Sequence, residues 1–75
     1  MKTLIQYLNS LSPTEQAAFA ERCGTSVGYL RKAVSTRQKL GESLCINIER
    51  ESGGQVRCED LRPDVDWAYL RGTKN

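Results

Sequence analysis

The stretch "SPTEQAAFAERCGTS", residues 12–26, limits what this chain can fold into more than any other feature. Ser12 is placed to cap a helix, Pro13 suits the first helical position, and Glu15 completes a capping box three residues after the cap. Ala17, Phe19, Ala20 and Cys23 are the residues this helix is expected to bury. Gly24 tolerates the left-handed conformation that closes a helix. Thr25 or Ser26 can then cap a new helix almost at once. A chain that stops one helix and starts another within three residues has to turn sharply.

The second helix has two faces. At 100° per residue, Val27, Leu30, Ala33 and Val34 fall on one side of it. Gly28, Arg31, Lys32 and Ser35 cluster on the other, with Tyr29 at the boundary. Two short helices joined by a tight glycine turn, the second apolar on one side and basic on the other, predict a helix-turn-helix. Gly28 is the odd residue, because glycine inside a helix costs about 1 kcal/mol relative to alanine.

The flanking segments predict more helix. Leu4, Ile5, Leu8 and Leu11 form an amphipathic stripe over residues 2–11. "STRQKLGE", 35–42, is polar and predicts a loop. Between 44 and 58 the local signals conflict. Alternation of Leu44, Ile46 and Ile48, then Val56 and Cys58, allows a β-hairpin around "SGG". Leu44, Cys45 and Ile48 also fit a helix, "IERE" is rich in helix formers, and Gly53-Gly54 is a natural stop. Pro63 ends a helical turn around "CEDL", and "DVDWAYLR" predicts a last turn capped by Asp64, with Trp67 and Leu70 inward. The expected fold is all-α, a bundle of about five short helices, with a C-terminal hairpin as the alternative. Residues 1–71 form a single domain and 72–75 a flexible tail.

Charge separates the two halves. Residues 1–40 carry a balance of +4 and residues 41–75 one of −2, although the whole chain is only +2. Between 22 and 40 there are five basic side chains and no acidic one. Such a patch suits a polyanion. There is no histidine, no glycine-rich phosphate loop and no base beside a nucleophile, so an enzyme is not expected. Cys23, Cys45 and Cys58 lack metal-ligand spacing and are expected to be reduced core thiols, with no cofactor. No run of about 20 apolar residues marks a membrane span, and the N-terminus is too interrupted for a signal peptide. A cytoplasmic protein is expected.

Basic side chains on the exposed face of such a helix suit double-stranded DNA. Arg31 and Lys32 are candidates for guanine O6 and N7 in the major groove. Ser26 and Gly28 keep side chains short near the helix start, where backbone dipoles favour anions. Gln16, Arg37 and Lys39 are candidate phosphate contacts that would position the protein. Tyr29 is placed for packing with its hydroxyl toward a phosphate, Val27 for a thymine methyl, and Ser35 completes the polar face.

"FAERCGTSVGYLRKAV", 19–34, resembles the helix-turn-helix of the phage Cro and repressor family, with Ala20, Gly24, Leu30, Ala33 and Val34 in family order. "INIERESGGQVRCEDLRPDVDW", 46–67, resembles the "IERxTGGxVxxxxLRPD" tail of Cro-like proteins from lambdoid-type prophages and of YdaS-like antitoxins. The resemblance implies a lambda-repressor-like fold with a helical tail. It also implies repression of transcription through operator DNA, bound as a weak or DNA-assembled homodimer. By the same resemblance the base-reading positions fall on Val27, Gly28, Arg31 and Lys32, with Ser26 at the helix cap. The alternative is an antitoxin-like protein-interaction module whose tail masks a toxin, with DNA binding secondary, and the acidic tail with Trp67 keeps it open.

Overall fold

A computed structural model describes residues 3–70. Six helices follow one another: α1 (Leu4–Asn9), α2 (Pro13–Arg22), α3 (Val27–Thr36), α4 (Glu42–Glu51), α5 (Cys58–Leu61) and α6 (Trp67–Leu70). The described residues contain no strand. None of these helices is long and apolar enough to cross a membrane. The predicted tail 72–75 lies outside the described residues.

The start signals act as the sequence predicts. Ser12 Oγ accepts from Glu15 N at 3.2 Å while Glu15 Oε1 accepts from Ser12 N at 2.9 Å. The Ser12 N–H, and after it the Ser12 hydroxyl, hold the Glu15 carboxyl below its ordinary pKa. Ser26, not Thr25, caps α3 by accepting from Tyr29 N at 3.1 Å. A second box, Thr3 with Gln6, starts α1.

Three helices end by the same device, a left-handed residue bracketed by two reversed hydrogen bonds. At α2 the residue is Gly24, with φ 82°, and Thr25 N donates to Ala20 O at 2.9 Å. At α4 it is Gly53, with φ 65°, and Gly54 N donates to Glu49 O at 2.9 Å. At α3 it is Arg37, with φ 55°, and Gln38 N donates to Ala33 O at 2.9 Å. An arginine occupies a backbone conformation that costs an L-residue roughly 1–2 kcal/mol and glycine nothing.

The hairpin alternative fails in the region where the local signals conflicted. Residues 42–51 are helix, and "SGG" is its stop rather than a hairpin turn. Long-range bonds decide this. Glu49 reaches across nine residues to accept from Cys58 N at 2.9 Å, so the tip of α4 starts α5. Ser52, 2% exposed, accepts from Val56 N at 3.1 Å and donates to Glu49 O at 3.1 Å. Ser52→Ala strands a buried N–H and is expected to cost about 1–3 kcal/mol, measured as a lowered urea midpoint at unchanged slope.

The core joins all six helices: Leu4, Tyr7 and Leu8 from α1, Phe19 and Ala20 from α2, Leu30 and Ala33 from α3, Cys45 and Ile48 from α4, then Val56, Cys58 and Trp67. Phe19 is completely buried, and Tyr7 meets its ring edge-on at 5.1 Å between centroids. Ala17, expected inside, is exposed. The buried stripe of α2 runs through positions 16, 19, 20 and 23, at i, i+3, i+4 and i+7, so Gln16 takes the place that Ala17 was assigned. Val34 lies at the edge of the core and is 37% exposed. Asp66 rather than Asp64 caps α6, accepting from Tyr69 N at 3.2 Å, because Asp64 is held by Arg62. The Leu70 side chain lies outside the described residues.

Candidate nucleic-acid interface

On α3 the residues Gly28, Arg31, Lys32 and Ser35 fall at i, i+3, i+4 and i+7 and form one stripe. Gly28, Lys32 and Ser35 are exposed and Arg31 is half-buried. Leu30 and Ala33 turn the opposite side into the core. Val27 is half-buried against that core, and Tyr29 is 39% exposed. The Tyr29 hydroxyl accepts from Gln38 Nε2 at 3.2 Å and keeps its own proton for another partner. Ser35 Oγ donates back to Lys32 O at 3.1 Å.

At the head of α3 the N–H groups of Val27 and Gly28 have no partner within the helix. Gly28 is bare without any internal need. A Cβ built there meets nothing within 4 Å, and its φ is not left-handed. The folded chain would accept a side chain at this position, which leaves the space in front of α3 as what the glycine keeps clear. Gly28→Leu is expected to stabilise the fold by roughly 0.5–1 kcal/mol. The same substitution is expected to weaken duplex binding, so a denaturant melt and a binding titration should move in opposite directions.

Lys32 and Arg37 make no side-chain hydrogen bond or ion pair among the described residues. Arg31 differs. Its Nη2 donates to Asn9 Oδ1 and to Gln16 Oε1, each at 3.2 Å. Gln16 in turn donates from Nε2 to Leu8 O at 2.9 Å and Leu11 O at 3.1 Å. Its amide hydrogens, the intended phosphate donors, are thus occupied within the fold.

The loop after α3 is fastened from the far end of the chain. Arg62 Nη1 donates to Leu40 O at 2.8 Å, while its Nε and Nη2 grip Asp64 at 3.0 and 2.8 Å. Lys39 approaches the same carboxylate at 3.7 Å. The Arg62 bonds hold the Asp64 carboxyl well below the usual carboxylate range. A depressed pKa of this kind contributes stability present above the unfolded value and lost as the pH falls through the folded one. Trp67 Nε1 donates to Arg62 O at 2.7 Å and locks the clasp against the core.

Asn9, Gln38 and the Arg62–Asp64 clasp were not picked out as parts of the site from sequence. Asn9 carried no signal, since a lone asparagine at a helix end looks like an ordinary terminus. Arg62 was visible only as part of the tail motif, and Asp64 only there and as the expected cap of the last turn.

This arrangement defines a class: a helix-turn-helix protein whose second helix carries a solvent-facing stripe that is bare at the helix head and cationic one turn further on. Residues 15–70 match the family described as "Bacterial toxin YdaS", and the chain belongs to that family. It is 41% identical over 56 residues to the "Putative transcriptional regulator YdaS" of Escherichia coli strain K12, covering 75% of this chain and 57% of that relative. It thus spans little more than half of that protein's length. It is 32% identical over 59 residues to a "Prophage transcriptional regulatory protein" of the same strain, covering 79% of this chain and 89% of the relative. No solved structure matches the chain at a significant level.

Proposed function

We propose that this protein is a DNA-binding transcriptional regulator of prophage type that places α3 in the major groove of an operator. The observation that carries the reading is Gly28, a bare helix position with open space around it, on the same stripe as Lys32 and Arg31. A duplex needs that clearance, and the folded chain alone does not. The transcriptional-regulator names of the two relatives agree with it. Ser26, Val27, Tyr29 and Ser35 border the face that meets the bases, Arg37 and Lys39 lie around the phosphate rim, and Gln16, its amide hydrogens used within the fold, holds Arg31 instead of a phosphate. Repression follows from occupying a promoter, and a weak homodimer on two half-sites about one helical turn apart gives the selectivity one small face lacks.

Arg37 supports this reading through its backbone. Of the three left-handed helix stops it is the one without glycine, and strain kept at a surface position points to a side chain used there. Of the two features behind the interaction-module alternative, the acidic tail and Trp67, the tryptophan is 2% exposed and belongs to the core.

Titration against randomised duplexes at several salt concentrations tests the proposal. With Arg37, Lys39 and one cation of α3 on phosphates, log affinity is expected to fall against log salt with a slope of about −2.7 per protomer. Selection of bound duplexes should return a preferred, pseudo-palindromic sequence. Salt-insensitive binding, or no preferred sequence, would remove the reading.

A further inference from the structure

Asn9 lies outside the helix-turn-helix, at the last residue of α1, and still reaches its DNA-facing side. It shares Arg31 Nη2 with Gln16, and each acceptor stands 3.2 Å away. That nitrogen carries two hydrogens, so the two acceptors use both. The Gln16 amide cannot be turned over. Its Nε2 donates to Leu8 O and Leu11 O, and the reversed amide would face carbonyl oxygens with its own oxygen and a guanidinium with its NH2.

The geometry of guanidinium gives this a consequence. A bidentate contact uses either the Nε–Nη2 edge or the Nη1–Nη2 edge, and both need Nη2. With Nη2 committed, Arg31 has no fork to offer guanine O6 and N7, the pairing that makes arginine a base reader. Its remaining N–H groups serve as single donors, which suffices for a phosphate oxygen. The location agrees. Asn9 and Gln16 hold the guanidinium at the junction of α1 with the first turns of α2, and in a docked helix-turn-helix the first helix of the motif crosses the phosphate backbone.

We infer that Arg31 is a phosphate contact aimed by Asn9 and Gln16, and that base readout on the stripe rests with Lys32. This deepens the proposed operator binding and rests on it. Asn9 and Gln16 are then positioning residues, and the cation that the sequence assigned to base reading fixes register instead.

The test compares wild type, Arg31→Ala, Arg31→Lys, Asn9→Ala and Asn9→Asp in selection from random duplexes and in salt titrations of the selected duplex. Arg31→Ala is expected to weaken all sequences alike, keep the selected base preference, and lower the salt slope by about 1. Arg31→Lys should restore the slope. Asn9→Ala should weaken binding about two- to tenfold, the scale of one hydrogen bond, and have no further effect in the Arg31→Ala background. Asn9→Asp, which keeps the acceptor but sets a negative charge beside the phosphate, should leave the Arg31 N–H signals of the free protein protected and weaken duplex binding. Arginine side-chain NMR of the free protein gives a DNA-independent check, because the Arg31 N–H signals should lose protection in Asn9→Ala. Relaxed preference at one base pair in Arg31→Ala, or an unchanged Arg31 signal in Asn9→Ala, would overturn the inference while operator binding stood. A wild-type chain without any preferred sequence would overturn both.

Discussion

Lys32→Ala is expected to weaken binding to the preferred duplex by about 1–3 kcal/mol, roughly 5- to 150-fold, and to relax preference at a single base pair. The size follows from its setting. Lys32 is exposed, makes no ion pair among the described residues, and stands one turn after the bare Gly28. Nothing inside the protein has to be broken for its ammonium to meet a base edge, and nothing inside is lost when it is removed. Stability should therefore stay within about 0.5 kcal/mol of wild type, the usual range for such surface changes. Selection from random duplexes with the variant checks the effect. A uniform loss over all sequences, with no position relaxed, would contradict it.

Phe19→Ala is expected to cost the fold about 3–5 kcal/mol. Phe19 is completely buried and touches Tyr7 edge-on, so the truncation leaves a cavity where α1 meets α2. A chain of 75 residues has a total stability of about 4–11 kcal/mol at the usual margin per residue. One ring is thus a large share of what keeps the recognition helix in place. Thermal melts should show a fall of roughly 12–40 °C. Duplex binding should vanish along the melting curve rather than at low temperature, because Phe19 does not reach the interface. A loss under about 1 kcal/mol would mean that the α1–α2 contact is not packed as described.

The parts of this fold that were legible in the sequence are those fixed within a few residues. Ser12, Pro13 and Glu15 start α2, Gly24 stops it, and Ser26 starts α3, because caps act over three or four positions. The second half resisted a local reading because its decisive bonds are distant. Glu49 starts α5 from nine residues away, and Arg62 fastens Leu40 from 22 away. The site shows the same division. The stripe of Gly28, Arg31, Lys32 and Ser35 follows from helical periodicity alone. What Arg31 touches does not, since Asn9 is 22 residues earlier and belongs to a helix whose packing only the tertiary structure supplies. Gln16 was read as a surface donor because it is polar, although the stripe through Phe19, Ala20 and Cys23 already ran through its position. Arg37 was marked by its charge alone, and its left-handed backbone had no local sign, for a left-handed arginine is written like any other.

The buried thiols have a practical use. Cys23, Cys45 and Cys58 come from three different helix regions, and none is more than 2% exposed. Burial pushes the Cys23 and Cys45 thiols up to about 11, so the reactive thiolate is scarce at neutral pH even before access is considered. An alkylating reagent added to the native protein can therefore act only through opening of the structure. Each cysteine becomes a timer for its own region, read by mass, and duplex added to the solution should slow the timer near α3 most if binding closes that end of the molecule.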